Sequence, residues 1–124
     1  MHARQKNRNL LEGLVSLRKG DIYQKELHKL TKIFEIVDED KRKLVEGLIE
    51  DAAFLKAENY MLREVLAETG MIRIHPKNPN MQKATETGKQ YLKNLNTYSV
   101  VIKTLNSILN KGAIEDDDDL DEFI

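Results

Sequence analysis

The chain has no cysteine, no tryptophan and only two prolines in 124 residues. Without cysteine there is no disulfide framework, no thiolate metal site and no cysteine nucleophile. No apolar run approaches the length of a membrane span, and the basic N-terminus lacks the hydrophobic stretch of a signal peptide. A cytoplasmic setting is expected. No glycine-rich loop leads into a helix with a lysine, so nucleotide hydrolysis has no support. His2, His28 and His75 form no pair at metal-ligand spacing. Acidic neighbours such as Glu50 and Asp51 fall on exposed helix faces without a cleft-forming scaffold, a setting for solvation rather than acid–base catalysis. The residues thus predict no catalytic group, no cofactor and no metal, leaving assembly and charge to carry function.

Charge is abundant, at a third of the chain, and it is unevenly spread. Gly112 to Ile124 holds seven acidic side chains and no basic one. The 111 residues before it hold all twenty Lys and Arg against fourteen Asp and Glu. A formal net charge of −1 therefore conceals a body of +6 and a tail of −7. Such polarity points to different partners at the two ends, the basic end to nucleic acid.

The length predicts one domain. Its expected parts are a basic arm at 1–20, a helical oligomerisation region at 21–111 and an acidic disordered tail at 112–124. Helices are expected at about 21–37, 41–69 and 81–110. In the first, Tyr23, Leu27, Leu30, Phe34 and Val37 share a face, and Lys25, Lys29 and Lys32 point the other way. Asp40 is the expected N-cap of the second, and Gly70 its left-handed stop. The main stripe of that helix reads Leu44, Leu48, Ala52, Leu55, Leu62 and Leu66, interrupted by Asn59. Phe54, Met61 and Val65 form a second stripe on another face. Residues 71–80, with Pro76 and Pro79, read as a loop in which Met71, Ile72 and Ile74 have the pattern of a short strand. The third helix has an unbroken heptad seam from Ala84 through Gly88, Tyr91, Leu95, Tyr98, Ile102 and Leu105 to Leu109.

The fold class is therefore all-α: a long antiparallel helical hairpin preceded by a shorter helix. A three-helix body of about ninety residues cannot bury both stripes of its second helix, so a homo-oligomer is expected. Phe54, Met61 and Val65, with Tyr91 and Tyr98 of the seam, are the candidate interface residues.

The order of these features resembles the small subunit of the terminase of tailed bacteriophages. The matching stretches are DEDKRKLVEGLIEDAAF at 38–54, the helix ending at Gly70, the Asn78-Pro79 loop and ETGKQYLKNLNTYSVVIKTLNSIL at 86–109. Together they span about residues 21–111. The resemblance implies an all-helical, ring-forming subunit in the host cytoplasm. Such a subunit recognises viral double-stranded DNA and hands it to a large ATPase and nuclease subunit for genome packaging. Many members carry a helix-turn-helix before the oligomerising helices. Here a basic arm and one short helix stand in that place.

The expected DNA contacts are Arg4, Lys6, Arg8, Arg18, Lys19, Lys25, Lys29 and Lys32. No Asn, Gln or Arg cluster indicates which bases would be read. Asp116, Asp117, Asp118 and Asp119 repel one another and point in different directions, which does not make a metal site. With Leu120 and Phe123 they read instead as a docking segment for a basic, grooved partner. A structural coiled-coil scaffold without DNA binding is the competing reading. A transcriptional repressor would need a reading helix richer in base-contacting side chains than 21–37. Two glycines inside the helices, Gly47 and Gly88, are explained by close helix approach or by a tolerated defect. Asn59 either sets helix register or lies at the edge of the core.

Overall fold

A computed structural model describes the backbone of residues 2–122 and the side chains of residues 18–111. The chain is mostly helical. Helix α1 (His2–Ile33) is followed by a 3-10 turn (Phe34–Ile36), α2 (Glu39–Thr69), strands β1 (Ile72–Ile74) and β2 (Gln82–Ala84), and α3 (Glu86–Glu122).

Helix α2 contacts both α1 and α3. The corner between α1 and α2 is tight. Phe34 and Val37 are buried there, the Val37 amide donates to the Phe34 carbonyl, and Val37 and Asp38 are extended. Asp38 rather than Asp40 occupies the N-cap position of α2, with Glu39 and Asp40 in the first turn, where carboxylates favour the helix dipole. The core gathers beside this corner: Leu30 of α1, Phe34, Val37, then Val45, Ile49 and Ala52 of α2, and Leu105 of α3. Each fully buried aliphatic there contributes about 1.5–3 kcal/mol of transfer free energy.

The buried face of α2 matches the expected stripe only in part: Ala52 and Asn59 are buried and Leu48 packs on the core, but the first turns are rotated toward Val45 and Ile49. Leu44 is 81 % exposed and Val45 1 %. Apolar residues come in adjacent doublets here, Leu44-Val45, Leu48-Ile49 and Ala52-Ala53, so periodicity alone cannot choose between neighbours. The short corner chooses, by fixing the side of α2 that meets Phe34 and Leu30. Asn59 is buried, with its Oδ1 lacking a hydrogen-bond partner among the described residues, so it is not a wet edge position. No α2 residue beyond Asn59 is fully buried.

Helix bounds also differ from expectation at two glycines. Helix α1 passes through Gly20, and α3 continues beyond the expected stop at Asn110 to Gly112. One helical glycine costs about 1 kcal/mol and, with no proline after it, does not end a helix. Gly70 does end α2: its φ is 75° and its amide closes on the Leu66 carbonyl at 2.8 Å.

The expected loop is a β-hairpin. Strands β1 and β2 pair antiparallel, with Ile72 opposite Ala84, Arg73 opposite Lys83 and Ile74 opposite Gln82. This pairing takes residues 82–84 out of the expected third helix, so the seam of α3 begins at Gly88. Along that seam Leu105 is buried, Tyr91, Tyr98, Ile102 and Leu109 are half-buried, and Leu95 is more exposed.

Candidate nucleic-acid interface

The cations of α1 divide into two groups. Lys19 forms an ion pair with Glu58 of α2, tying the two helices together. Lys29 lies 3.6 Å from Glu26 on its own helix. Arg18, Lys25 and Lys32 are exposed and have no ion-pair partner among the described residues. Lys25 and Lys32 are seven residues apart, so they sit on one face about 10 Å apart along the axis. Arg4, Lys6 and Arg8 lie outside the described side chains, as do Asp116, Asp117, Asp118, Asp119, Leu120 and Phe123.

Glu26 explains why Lys29 is held. This side chain is only 8 % exposed, and a buried polar group is costly without partners. It is hydrogen-bonded by Tyr98 of α3, whose ring lies 5.7 Å from the Lys56 ammonium of α2. Burial, then the Glu26 charge and that hydrogen bond, push the Tyr98 phenol above its ordinary value. Tyr98 thus fastens α3 to α1 and packs on the core.

The second stripe of α2 is uncovered in part. Phe54 is 54 % exposed and Val65 43 %, with Met61 half-buried. Phe54 forms one wall of an open groove of about 590 Å³, bordered by Gly20, Tyr23 and Ala57. On α3, Leu92 and Val100 are also largely exposed.

Sequence reasoning missed a further set of cations. Between Gly70 and Thr85 there is no acidic residue, while Arg73, Lys77 and Lys83 are all present and exposed. The register places Arg73 directly opposite Lys83 on one face of the ribbon, with Ile72 and Ile74 on the other. The ribbon is firmly mounted. Thr85 caps α3 by accepting from the Gly88 amide at 3.0 Å, and its hydroxyl donates to the Gly70 carbonyl at 3.0 Å. The Thr85 amide donates to the Met71 carbonyl at 2.9 Å. Gly88 is needed for this approach, since a Cβ there would sit 3.0 Å from the Met71 carbonyl oxygen. At the tip, His75 Nδ1 accepts from the Lys77 and Asn78 amides, and Asn78 Oδ1 accepts from the Asn80 amide. The missing acids were the signal available in the sequence.

Among the described residues no group of three potential ligands is placed to hold a metal, and no helix is long and apolar enough to cross a membrane. No protein-family model, no curated protein and no solved structure matches the chain.

Proposed function

We propose that the chain is a non-catalytic terminase small subunit. In this reading it assembles into a ring-like homo-oligomer in the host cytoplasm and binds viral double-stranded DNA. It then presents that DNA to the large ATPase and nuclease subunit for packaging. The observation that carries the DNA-binding half is the exposed face of α1, where Lys25 and Lys32 form no ion pair among the described residues. Copies arranged around one axis repeat that face, and phosphate contacts accumulate through counterion release. The exposed Phe54 and Val65, with the half-buried Met61 between them, support the assembly half, because a helix buries such a stripe against something. The acidic tail is the segment assigned to the large subunit, with charge supplying affinity and Phe123 the anchor.

Duplex binding as a function of salt tests this reading. The parent should lose affinity steeply as salt rises, and a Lys25→Glu/Lys32→Glu variant should bind more weakly to every sequence with a flatter slope. Lys29 is left unchanged because its ammonium serves Glu26. Equal binding by that variant would reduce the α1 face to solvation. The use of Lys19 and Lys29 in internal ion pairs favours the rival reading, a helical scaffold whose charges hold the fold and keep it soluble. That protein would show no affinity for salt to remove.

A further inference from the structure

The β-hairpin carries more positive charge than its own fold can use. Arg73 and Lys83 are direct cross-strand neighbours, and like charges so placed destabilise a strand pair. No acid lies between Gly70 and Thr85 to offset them, and neither cation has a partner among the described residues. Lys77 adds a third uncompensated charge at the tip. An isolated two-stranded ribbon is marginal to begin with, so this repulsion is a standing cost. The costly element is nevertheless held rigidly, by Thr85 and Gly88 at its base and by His75 and Asn78 at its tip. Rigid display of mutually repelling cations is what a polyanion would relieve and a free protein would not need.

We propose that the cationic face of this hairpin, Arg73 and Lys83 with Lys77 at the tip, is a second phosphate-contacting element for duplex DNA. It is separate in the chain from the α1 face. Its dimensions suit that role, since paired strands lie about 4.8 Å apart and a two-stranded ribbon fits a major groove about 12 Å wide. Contacts from Arg and Lys to phosphates position the protein without reading sequence. The inference rests on the DNA-binding reading above, but it assigns a different set of residues.

The test uses full-length protein with Arg73→Gln and Lys83→Gln together, measured for duplex binding across a salt series beside the Lys25→Glu/Lys32→Glu variant. Duplex affinity should fall by roughly tenfold or more for all sequences, and the slope of log K on log salt should drop by about two. Thermal stability should stay level or rise, because the cross-strand repulsion is gone. Opposite movement of binding and stability is a result that a purely structural role for these residues would not give. Lys77→Gln, outside the strands, should lower the slope by about one without touching the ladder. Binding like the parent's in the hairpin variants, with the α1 variant weakened, overturns the inference and leaves the proposed function standing. A parent that fails to bind duplex at about 50 mM salt removes both. Unchanged DNA binding with lower molar mass, reproduced by deleting 113–124, overturns it by assigning the face to the acidic segment of a second copy.

Discussion

Two helical glycines should respond to alanine with opposite signs. At Gly47 a new Cβ meets nothing within 4 Å, so Gly47→Ala gains helix propensity alone, about 0.5–1 kcal/mol. At Gly88 the same methyl would sit 2.9 Å from Thr85 Oγ1, 3.0 Å from the Met71 carbonyl oxygen and 3.2 Å from Met71 Cα. None of these atoms can retreat cheaply. Thr85 Oγ1 is held between Gly88 and Gly70, and the Met71 oxygen accepts from the Thr85 amide. Overpacking costs about 1–3 kcal/mol, and the propensity gain offsets under 1 kcal/mol of it because Gly88 lies in the first turn. Gly88→Ala should therefore destabilise by about 1–2 kcal/mol, separating the two variants by about 1.5–3 kcal/mol. For a chain of this size that is a difference in Tm of about 10 °C. Circular dichroism melts at one fixed protein concentration, which removes the mass-action shift of any assembly, measure it. Hydrogen exchange adds a local check: in Gly88→Ala the Thr85 amide should lose protection before the amides of α2. Equal stabilisation by both substitutions would refute the close approach of Met71 to α3, and with it the rigid mounting of the hairpin.

Other outcomes follow from the same contacts. Replacing Phe54 and Met61 with glutamate should lower the molar mass in solution while leaving helicity near the parent's, since Phe54 supports little of the core; unchanged mass would remove this stripe from the interface. Tyr98→Phe should cost about 1–2 kcal/mol, through the lost hydrogen bond to a buried carboxylate, read as a lower denaturation midpoint. Because the folded Tyr98 pKa lies above its ordinary 10.0, its contribution is complete below pH 10 and lost as pH rises through the folded value. Parent and Tyr98→Phe melting temperatures should therefore converge above pH 10, and a constant gap would contradict this. Deleting 113–124 should abolish large-subunit binding with DNA affinity unchanged if the tail docks. Tighter DNA binding with that association intact would mean that the tail competes for the basic faces.

Features set by strong local chemistry were legible in the sequence. Gly70 was readable as a stop because a left-handed glycine closes α2, and the α3 seam was readable because its heptads run unbroken from Gly88 to Leu109. Gly20 and Gly112 offered the same residue type without the same conformation, and boundaries placed on them did not coincide with helix ends. At the start of α2 the buried side was illegible because Leu44 and Val45 are equally apolar, and only the corner at Phe34 and Val37 distinguishes them; Ala52, further along the expected stripe, is buried. Of the expected interface, Phe54 and Val65 are exposed as patterned, while Tyr98 is occupied by Glu26 and Lys56. Which cations were free depended on tertiary pairs such as Lys19 with Glu58, which no spacing along the chain reveals. Arg73 and Lys83, ten residues apart in sequence, are brought opposite each other only by strand register.

The central claim, an assembled protein that holds duplex DNA, is tested most directly by sedimentation of the full chain mixed with a labelled duplex at micromolar concentration and low salt. Free protein should sediment as a stable multiple of 14.3 kDa, and the duplex should co-sediment with that assembly and dissociate as salt is raised. A 14.3 kDa monomer beside unbound duplex would contradict the account.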